Sequence, residues 1–396
     1  MTICPEIKVQ IQGEYLDSYV YSGALFLMDF NGELSSYQWK SLVEESLSPY
    51  TGTDIDAKYF ANLLLDCRIS AAPGIEETSV CRDLEIDLNT LRKHETARIA
   101  VDDWPADISI FSNRLYIASQ RGVYQHGFVR MSTGVVTQFE ESIQILQEAA
   151  LRTAPGDMNR VAIAAGRSGL LTVSPYAKGG PAQISDAACS DCDWQGLTLV
   201  ASTDAGAIEA DFAEMPKRVV GEDTGAYWRA VNLIKEKGPK SVEKILIGDS
   251  KALFSWIGGD RVFAINENFQ LFAKSRNETA HFNSHVKFAK LDERILLSAK
   301  ETNKHFSART TAFGTLIELG DSLNLLTERG LSEIAANVGR WRTFPRSKCY
   351  ANQVHVAGED RITVQAFSMT NNLKAPDRFG FSLDELAKTN SGETEG

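Results

Sequence analysis

Between Lys244 and Lys274 the chain is cut into four short apolar runs, Lys244–Ile247, Lys251–Ile257, Arg261–Ile265 and Phe269–Lys274. Only Gly248-Asp249, Gly258-Gly259-Asp260 and Asn266-Glu267-Asn268 separate them. Gly, Asp and Asn tolerate the positive φ of a tight reversal, so runs this short predict a four-stranded antiparallel meander. The form recurs. Ile117–Tyr124, Ile163–Leu171 and Val200–Ile208 each run aliphatic, Ala, small residue, short polar stretch, Gly and then apolar again. Looser versions stand at Leu27–Leu34 around Asn31-Gly32, at Leu246–Phe254, at Leu296–Ala308 and at Val356–Val364.

The starting points lie roughly 35–60 residues apart, with one longer gap after the first, a spacing that belongs to blade-type repeats. The pattern resembles the β-propellers as an architecture, without a Trp-Asp signature and without any narrower family. The resemblance implies an all-β fold, a β-propeller of about seven four-stranded blades with a few helical insertions. Small residues on the repeated strand are expected to mark the innermost strands, which converge on a central channel. Ser119, Gly166, Ser202 and Ser298 would then face that channel.

A chain of 396 residues exceeds the usual single core of ~250–300 residues, but ~40 residues per blade absorbs this length in one body. The expected organisation is a single propeller domain over 1–388 and a disordered tail over 389–396, where Ser, Gly, Glu and Thr prevail. A formal charge of −11 argues against wholesale coating of nucleic acid, which draws its affinity from many Lys and Arg. The first residues carry neither a basic region nor an apolar run of about 7–15 residues, and no later run approaches the ~20 of a spanning helix. A cytoplasmic protein without membrane contact is expected. The six cysteines, Cys4, Cys67, Cys81, Cys189, Cys192 and Cys349, follow no framework spacing, so no disulfides are expected.

In chain order, Ile7–Gln12 and Glu14–Tyr21 alternate as strands. Helical spacing then takes over near 36–67, where Tyr37, Trp39, Leu42, Val43 and Leu47 follow the cap candidates Ser35-Ser36, and Tyr59, Phe60, Leu63 and Leu64 repeat the signal. Further helical insertions are predicted near 139–152, with Ile143, Leu146 and Ala150 on one stripe, and near 224–237, with Trp228, Val231 and Ile234. A mostly polar connection is predicted from Asp321 to Lys348, before strands at Gln353–Ala357 and Arg361–Met369. The N-terminal strand is expected to complete the last blade by pairing with these two.

Four features could carry chemistry. Cys189-Ser190-Asp191-Cys192 has a spacing that lets two thiolates reach one Zn²⁺, but a structural site needs four ligands, and His281, His285 or Asp193 would have to supply the rest. Two ordinary loop cysteines are the plainer reading. His281 and His285 stand four apart but lack the Glu of a zinc peptidase and lie in an expected loop. Ser202-Thr203-Asp204-Ala205-Gly206 resembles part of the Asp-box turn of sialidase propellers, without its Thr-Trp and without further copies; a blade turn explains it. The fourth is the basic and aromatic run Gly339–Lys348. Its Arg340, Trp341, Arg342, Phe344, Arg346 and Lys348 are the expected partner-binding residues, since Arg and Trp dominate interface hot spots. Interleaved aromatic and cationic side chains would equally suit a nucleic-acid strand, and packing of Trp341 and Phe344 under the last blade with the arginines facing solvent is the structural alternative.

No phosphate loop, Gly-x-Ser-x-Gly elbow or His-Glu-x-x-His string occurs. No catalytic residue, metal or cofactor is assigned. The expected function is a non-catalytic scaffold or recognition subunit of a multiprotein assembly that binds partners through propeller faces and inserted loops. The alternative is an enzyme or small-ligand sensor with a site at the channel mouth, where Asp29, Asp204 and Asp249 offer carboxylates.

Overall fold

The computed structural model describes residues 5–50, 57–68, 81–101, 103–156, 160–174, 180–213, 224–225, 227, 229–231, 238–247, 250–258, 261–266, 271–275, 284–286, 307–311, 313–327 and 330–367. In chain order, β1 (Ile7–Gln12) precedes a meander of β2 (Tyr15–Tyr21), β3 (Ala24–Asp29) and β4 (Glu33–Gln38). Helices α1 (Trp39–Leu47) and α2 (Ala57–Leu65) follow, then β5 (Arg82–Ile86), α3 (Leu88–Lys93) and β6 (Glu95–Ala100). Next come β7 (Asp107–Phe111), β8 (Arg114–Ser119), β9 (Gly122–Arg130) and β10 (Val136–Leu146). β11 (Arg152–Pro155), β12 (Val161–Ala164), β13 (Leu170–Val173) and β14 (Ala182–Ser185) lead to β15 (Cys189–Gln195), β16 (Thr198–Thr203), β17 (Gly206–Asp211) and β18 (Ser241–Lys244). The region read first as a meander holds β19 (Leu246–Ile247), β20 (Ser250–Gly258), β21 (Arg261–Asn266) and β22 (Leu271–Ser275), followed by β23 (Ser284–Val286). Last are β24 (Ser307–Thr311), β25 (Gly314–Leu319), β26 (Ser322–Thr327), β27 (Gly330–Ala335), β28 (Arg340–Thr343), β29 (Gln353–Ala357) and β30 (Arg361–Ala366).

These strands pair into seven sheets: β2-β3-β4-β6, β7 to β10, β11 to β14, β15 to β18, β19 to β23, β24 to β27, and β28-β29-β30-β1-β5. Small sheets of mostly sequential antiparallel strands, repeated along one chain, make the protein a β-propeller. The chain divides into two compact units, one of residues 1–102, 128–140 and 286–396, the other of 103–127 and 141–285. The sheets β2-β3-β4-β6, β24 to β27 and β28-β29-β30-β1-β5 lie whole in the first unit, and β11 to β14 and β15 to β18 lie whole in the second. The propeller has six blades, against the about seven expected from the hairpins.

In the first unit, β1 alternates buried Ile7, Val9 and Ile11 with half-buried or exposed neighbours, the pattern of a strand covered on one face. It joins β30 antiparallel in register from Ile7 opposite Ala366 to Gln12 opposite Arg361, as the sequence led one to expect. β5 then adds to it in parallel, from Ile7 beside Arg82 to Ile11 beside Ile86. The helices α1 and α2 bury Trp39, Leu42, Val43, Leu47, Tyr59, Phe60, Leu63 and Leu64 in one core with β1, β2 and β30. The Trp39 indole N–H donates to the Leu64 carbonyl at 3.0 Å, tying the two helices together.

Several expectations are corrected. The cap candidates Ser35 and Ser36 lie within β4, and α1 begins after Gln38 without a side-chain cap. The helix predicted near 139–152 is instead β10 and the first residue of β11. Ile143, Leu146 and Ala150 do stand at helical spacing, but Val136, Thr137, Phe139, Ile143 and Ile145 favour extended chain, and an outer strand needs no strict alternation. The polar connection expected over 321–348 carries β26, β27 and β28. Described residues between 224 and 231 are helical, and most of the remaining stretch to 237, like the tail 389–396, lies outside the described residues.

The repeated hairpins also join the second and third strands of their sheets, as in β8–β9, β12–β13 and β16–β17, rather than involving the first. Their small residues Ala118, Ala164 and Ala201 are buried in the side-chain cores of the second unit. Smallness signals close packing, whichever strand needs it. Ser119 and Ser202 therefore sit on second strands and Gly166 in a turn, while Ser298 lies outside the described residues. The turn at Gly122 shows why glycine recurs: its φ is +131° and a Cβ there would fall 2.1 Å from the Leu146 carbonyl oxygen.

Removal of residues 1–13 deletes the strand that pairs with both β30 and β5 and exposes two strand edges. A sharp drop in melting temperature is expected, and an unchanged melt would contradict the role given to β1.

Candidate functional site

The basic and aromatic run expected to meet a partner occupies β28 and the turns after it. Arg342 faces the Asp17 carboxylate on β2 side-on, Nε donating to Oδ1 at 2.6 Å and Nη2 to Oδ2 at 2.5 Å. Arg340 Nη1 adds a third bond, to Oδ2 at 2.9 Å. Asp17 is only 1% exposed, whereas the Arg340 and Arg342 side chains keep 24% and 11%. A register shift between Tyr15 and Asp17 re-aims this stretch of β2, and the Ser18 amide donates to Asp17 Oδ1 at 2.8 Å. Burial alone would raise the Asp17 carboxyl, but the charges and hydrogen bonds of Arg342 and Arg340 hold it below the usual carboxylate range.

A second buried pair continues from the first. Ser18 Oγ lies 2.7 Å from His355 Nδ1, and His355 Nε2 lies 3.4 Å from Gln353 Oε1. Because an amide oxygen only accepts, Nε2 carries the proton and Ser18 donates its hydroxyl proton to Nδ1. Gln353 in turn donates to the Leu64 carbonyl at 2.7 Å, which carries the network to α2. Burial pushes the His355 pKa down to about 3, against a rise from the Asp17 charge. A hydroxyl on an imidazole has the shape of an activated nucleophile, but Ser18 is 3% and His355 1% exposed. A neutral, enclosed imidazole of this kind orders the interior.

The other residues of the run divide between core and surface. Trp341 is partly buried against the core of β25, β26 and β29, and its indole N–H donates to Glu318 Oε2 at 2.8 Å. Phe344 is buried, with its ring edge to Tyr19 at 5.1 Å and to His355 at 4.9 Å between centroids. Arg342 also lies over the Tyr19 ring, 5.6 Å from its centroid. Arg346 and Lys348 are exposed.

The remaining candidates have local structural work. Cys189 and Cys192 belong to β15, where a bulge sets them apart, and not to a loop. Burial lifts Cys189 to about 12 and Cys192 well above its ordinary value, so both are poorly available as thiolates. The intervening Asp191 binds Arg152 Nε of β11 at 2.8 Å. His285 lies on β23, while His281 and Asp249 are outside the described residues. Among the described residues no three of His, Cys, Asp and Glu gather as a metal set. In the Asp-box-like stretch, the Thr203 hydroxyl donates to the Gly206 carbonyl and the Asp204 amide to Ala188, which makes a blade turn. Asp29 Oδ1 accepts from the amides of Asn31 at 2.8 Å and Glu33 at 2.9 Å, closing its own turn.

Sequence reasoning passed over Asp17, one acidic residue in an alternating strand. It also passed over Arg160, just before β12. Arg160 is 3% exposed and its guanidinium carbon stands 4.4 Å from the centre of the Phe212 ring. Its Nη2 is buried without a hydrogen-bond acceptor, and burial lowers its pKa. Trp194 packs against Phe212 with tilted rings, 5.0 Å between centroids, and donates its indole N–H to the Ala154 carbonyl at 2.8 Å. An Asn-Arg-Val sequence gives no warning of such a setting.

The pH dependence of stability follows from His355. Below its unfolded pKa of about 6.5 the unfolded chain takes up a proton that the folded chain refuses until about pH 3, so stability is full above that window and falls through it. Asp17 adds its own loss only at lower pH, through its depressed folded value. Between pH 6 and pH 5, His355→Gln should remove about 1.4 kcal/mol per pH unit from the slope of unfolding free energy measured by urea titration. An unchanged slope would contradict the buried neutral imidazole.

No family model matches the chain, and no curated protein matches it. Among solved structures, it is similar to one described as "Structure of Dos1 propeller", at 10% identity and a TM-score of 0.46, covering 89% of this chain and 78% of that one. It is also similar to a chain of "Crystal Structure of Mitotic Checkpoint Complex", at 9% identity and a TM-score of 0.46, covering 92% of each. These likenesses concern the fold.

Proposed function

We propose that the protein is a non-catalytic scaffold or recognition subunit of a multiprotein assembly in the cytoplasm, meeting its partners through exposed turns and strand edges. The observation that carries this reading is the surface around Arg121. Asp103 Oδ2 accepts from the Arg121 amide at 3.3 Å, and Gln144 Nε2 donates to the Arg121 carbonyl at 2.9 Å. The next residue after Asp103 is Trp104, 54% exposed, and the one before Gln144 is Ile143, 60% exposed. Arg121, Trp104 and Ile143 are thus exposed residues of this unit, and arginine and tryptophan are residue types that anchor protein interfaces. The cationic centre suits a partner with an apolar patch and an acidic rim. Arg346 and Lys348 offer a separate exposed cationic pair.

The residues that a catalytic reading would need support the same conclusion. Asp17, His355, Asp29, Cys189 and Cys192 are occupied with ion pairing, turns or burial. Among the described residues no helix is long and apolar enough to cross a membrane. One observation favours the alternative of a small-ligand sensor, the Arg160 guanidinium without an acidic partner among the described residues.

Capture of partners by the tagged protein at native expression level tests the reading. Trp104→Ala with Arg121→Glu should reduce partner recovery at least tenfold while the melting temperature holds, and Arg346→Glu with Lys348→Glu should reduce it if the second surface is used. Full recovery by both double variants would contradict a contact through these surfaces. A melting temperature that rises with inorganic phosphate in the parent protein, but not in Arg160→Met, would move the conclusion to the sensor.

A further inference from the structure

Two cysteines far apart in sequence meet at the end of α2. The Cys67 amide donates to the Cys349 carbonyl at 2.9 Å. The Cys67 thiol reaches the carbonyl of Lys348, 281 residues away in sequence, at 3.5 Å. The turn over 347–352 therefore wraps the Cys67 side chain. That turn is itself pinned: the Cys349 and Tyr350 amides donate to Ser347 Oγ at 3.3 and 3.1 Å. On the other side, Asn352 Nδ2 donates to the Leu63 carbonyl at 3.0 Å and Gln353 Nε2 to Leu64 at 2.7 Å, so α2 and the turn are fixed to each other on both flanks of the pair.

We propose that Cys67 and Cys349 form a reversible redox couple, a modification site that closes as a disulfide and locks α2 onto the turn before β29. A direct backbone hydrogen bond keeps two α-carbons about as close as the ~4.4–6.8 Å that a disulfide spans, so closure needs side-chain rotation and little backbone movement. Both thiols are half-buried, which leaves them open to a small oxidant, in contrast to Cys189 and Cys192, which are buried. Burial and the Asp66 charge raise the Cys349 thiol above its ordinary range against the opposing Arg68 and Lys348, and burial raises Cys67 as well, so the thiolate is the minor form from which reaction starts.

Hydrogen peroxide is the oxidant class that balances the step. One thiolate attacks a peroxide oxygen, the O–O bond breaks, and a sulfenic acid and one water form after protonation of the leaving hydroxide. The second thiol attacks the sulfenic sulfur, the S–O bond breaks, and a second water leaves. Two thiols and one peroxide thus give one disulfide and two waters, and a dithiol reductant reverses the change. A link across so long a stretch of chain restricts the unfolded state strongly, and it fastens the helical insertion to the sheet that β1 completes.

Treatment of the full chain with hydrogen peroxide, followed by peptide mapping without reduction, tests the couple. The expected result is a linked Cys67–Cys349 peptide, two fewer titratable thiols, and a melting temperature raised by at least about 5 °C and restored by dithiothreitol. Cys67→Ser and Cys349→Ser should each lose the peptide and the rise, with Cys189 and Cys192 unmodified throughout. Failure of the parent protein to form the linked peptide would overturn the proposal without relying on either variant. So would linkage of Cys67 to a different cysteine, or a peroxide-induced rise that persists in Cys349→Ser.

Discussion

A carboxylate cut off from water must find its countercharge inside the protein, and in the first unit Asp17 does so on β28, more than three hundred residues along the chain. Left unpaired, such a group costs several kcal/mol; paired, it is stable only while β2 and β28 hold one position. The clasp draws in more than charge. β28 pairs with β29, β29 with β30, and β30 with β1, so the same sheet that receives Asp17 is the one assembled from both ends of the chain. Ser18, His355 and Gln353 then carry the order on to α2. Aliphatic packing supplies most of the driving force, and the directional contacts choose among the many ways in which similar sheets could pack.

The second unit uses the same device with different partners. Asp107 on β7 accepts from the Thr153 amide of β11 at 2.9 Å, with Ser109 and Thr153 bonded through their hydroxyls at 2.8 Å. Arg152 on β11 reaches Asp191 on β15, and Ser202 on β16 accepts from the Ser255 amide on β20 at 3.4 Å. Polar latches between neighbouring sheets thus recur, at positions where the strands themselves look interchangeable.

How much of this was legible in the sequence depends on how local the cause is. Turns such as Asn31-Gly32 are set by a few adjacent residues, and the hairpins followed from them. The strand at Ile7–Gln12 and its C-terminal partners were also readable, since alternation is local and a propeller needs its last sheet completed. The helix expected over 139–152 failed because three residues at helical spacing outweighed a run of extended-chain formers whose pairing partner, β9, the spacing does not reveal. The strands at 322–327 and 330–335 were missed because polar residues within them masked the alternation. The long-range roles left no local trace. Arg340 and Arg342 look like an exposed island until Asp17 is placed beside them.

The arrangement leaves surface character to a few residues that the interior does not need. Arg121, Trp104, Ile143, Arg346 and Lys348 are exposed, whereas Asp17, Asp107 and Ser202 are buried in the latches. A scaffold reading rests on that division between enclosed charge and exposed anchors.

The division itself is tested most directly by a double-mutant cycle of Asp17→Asn and Arg342→Met, with unfolding free energies from urea titration of all four proteins. A buried clasp requires each single change to cost about 3–5 kcal/mol and the double change to cost less than their sum by about 2 kcal/mol. Strictly additive losses, or single losses below about 1 kcal/mol, would mean that Asp17 and Arg342 act independently and that the clasp does not organise this unit.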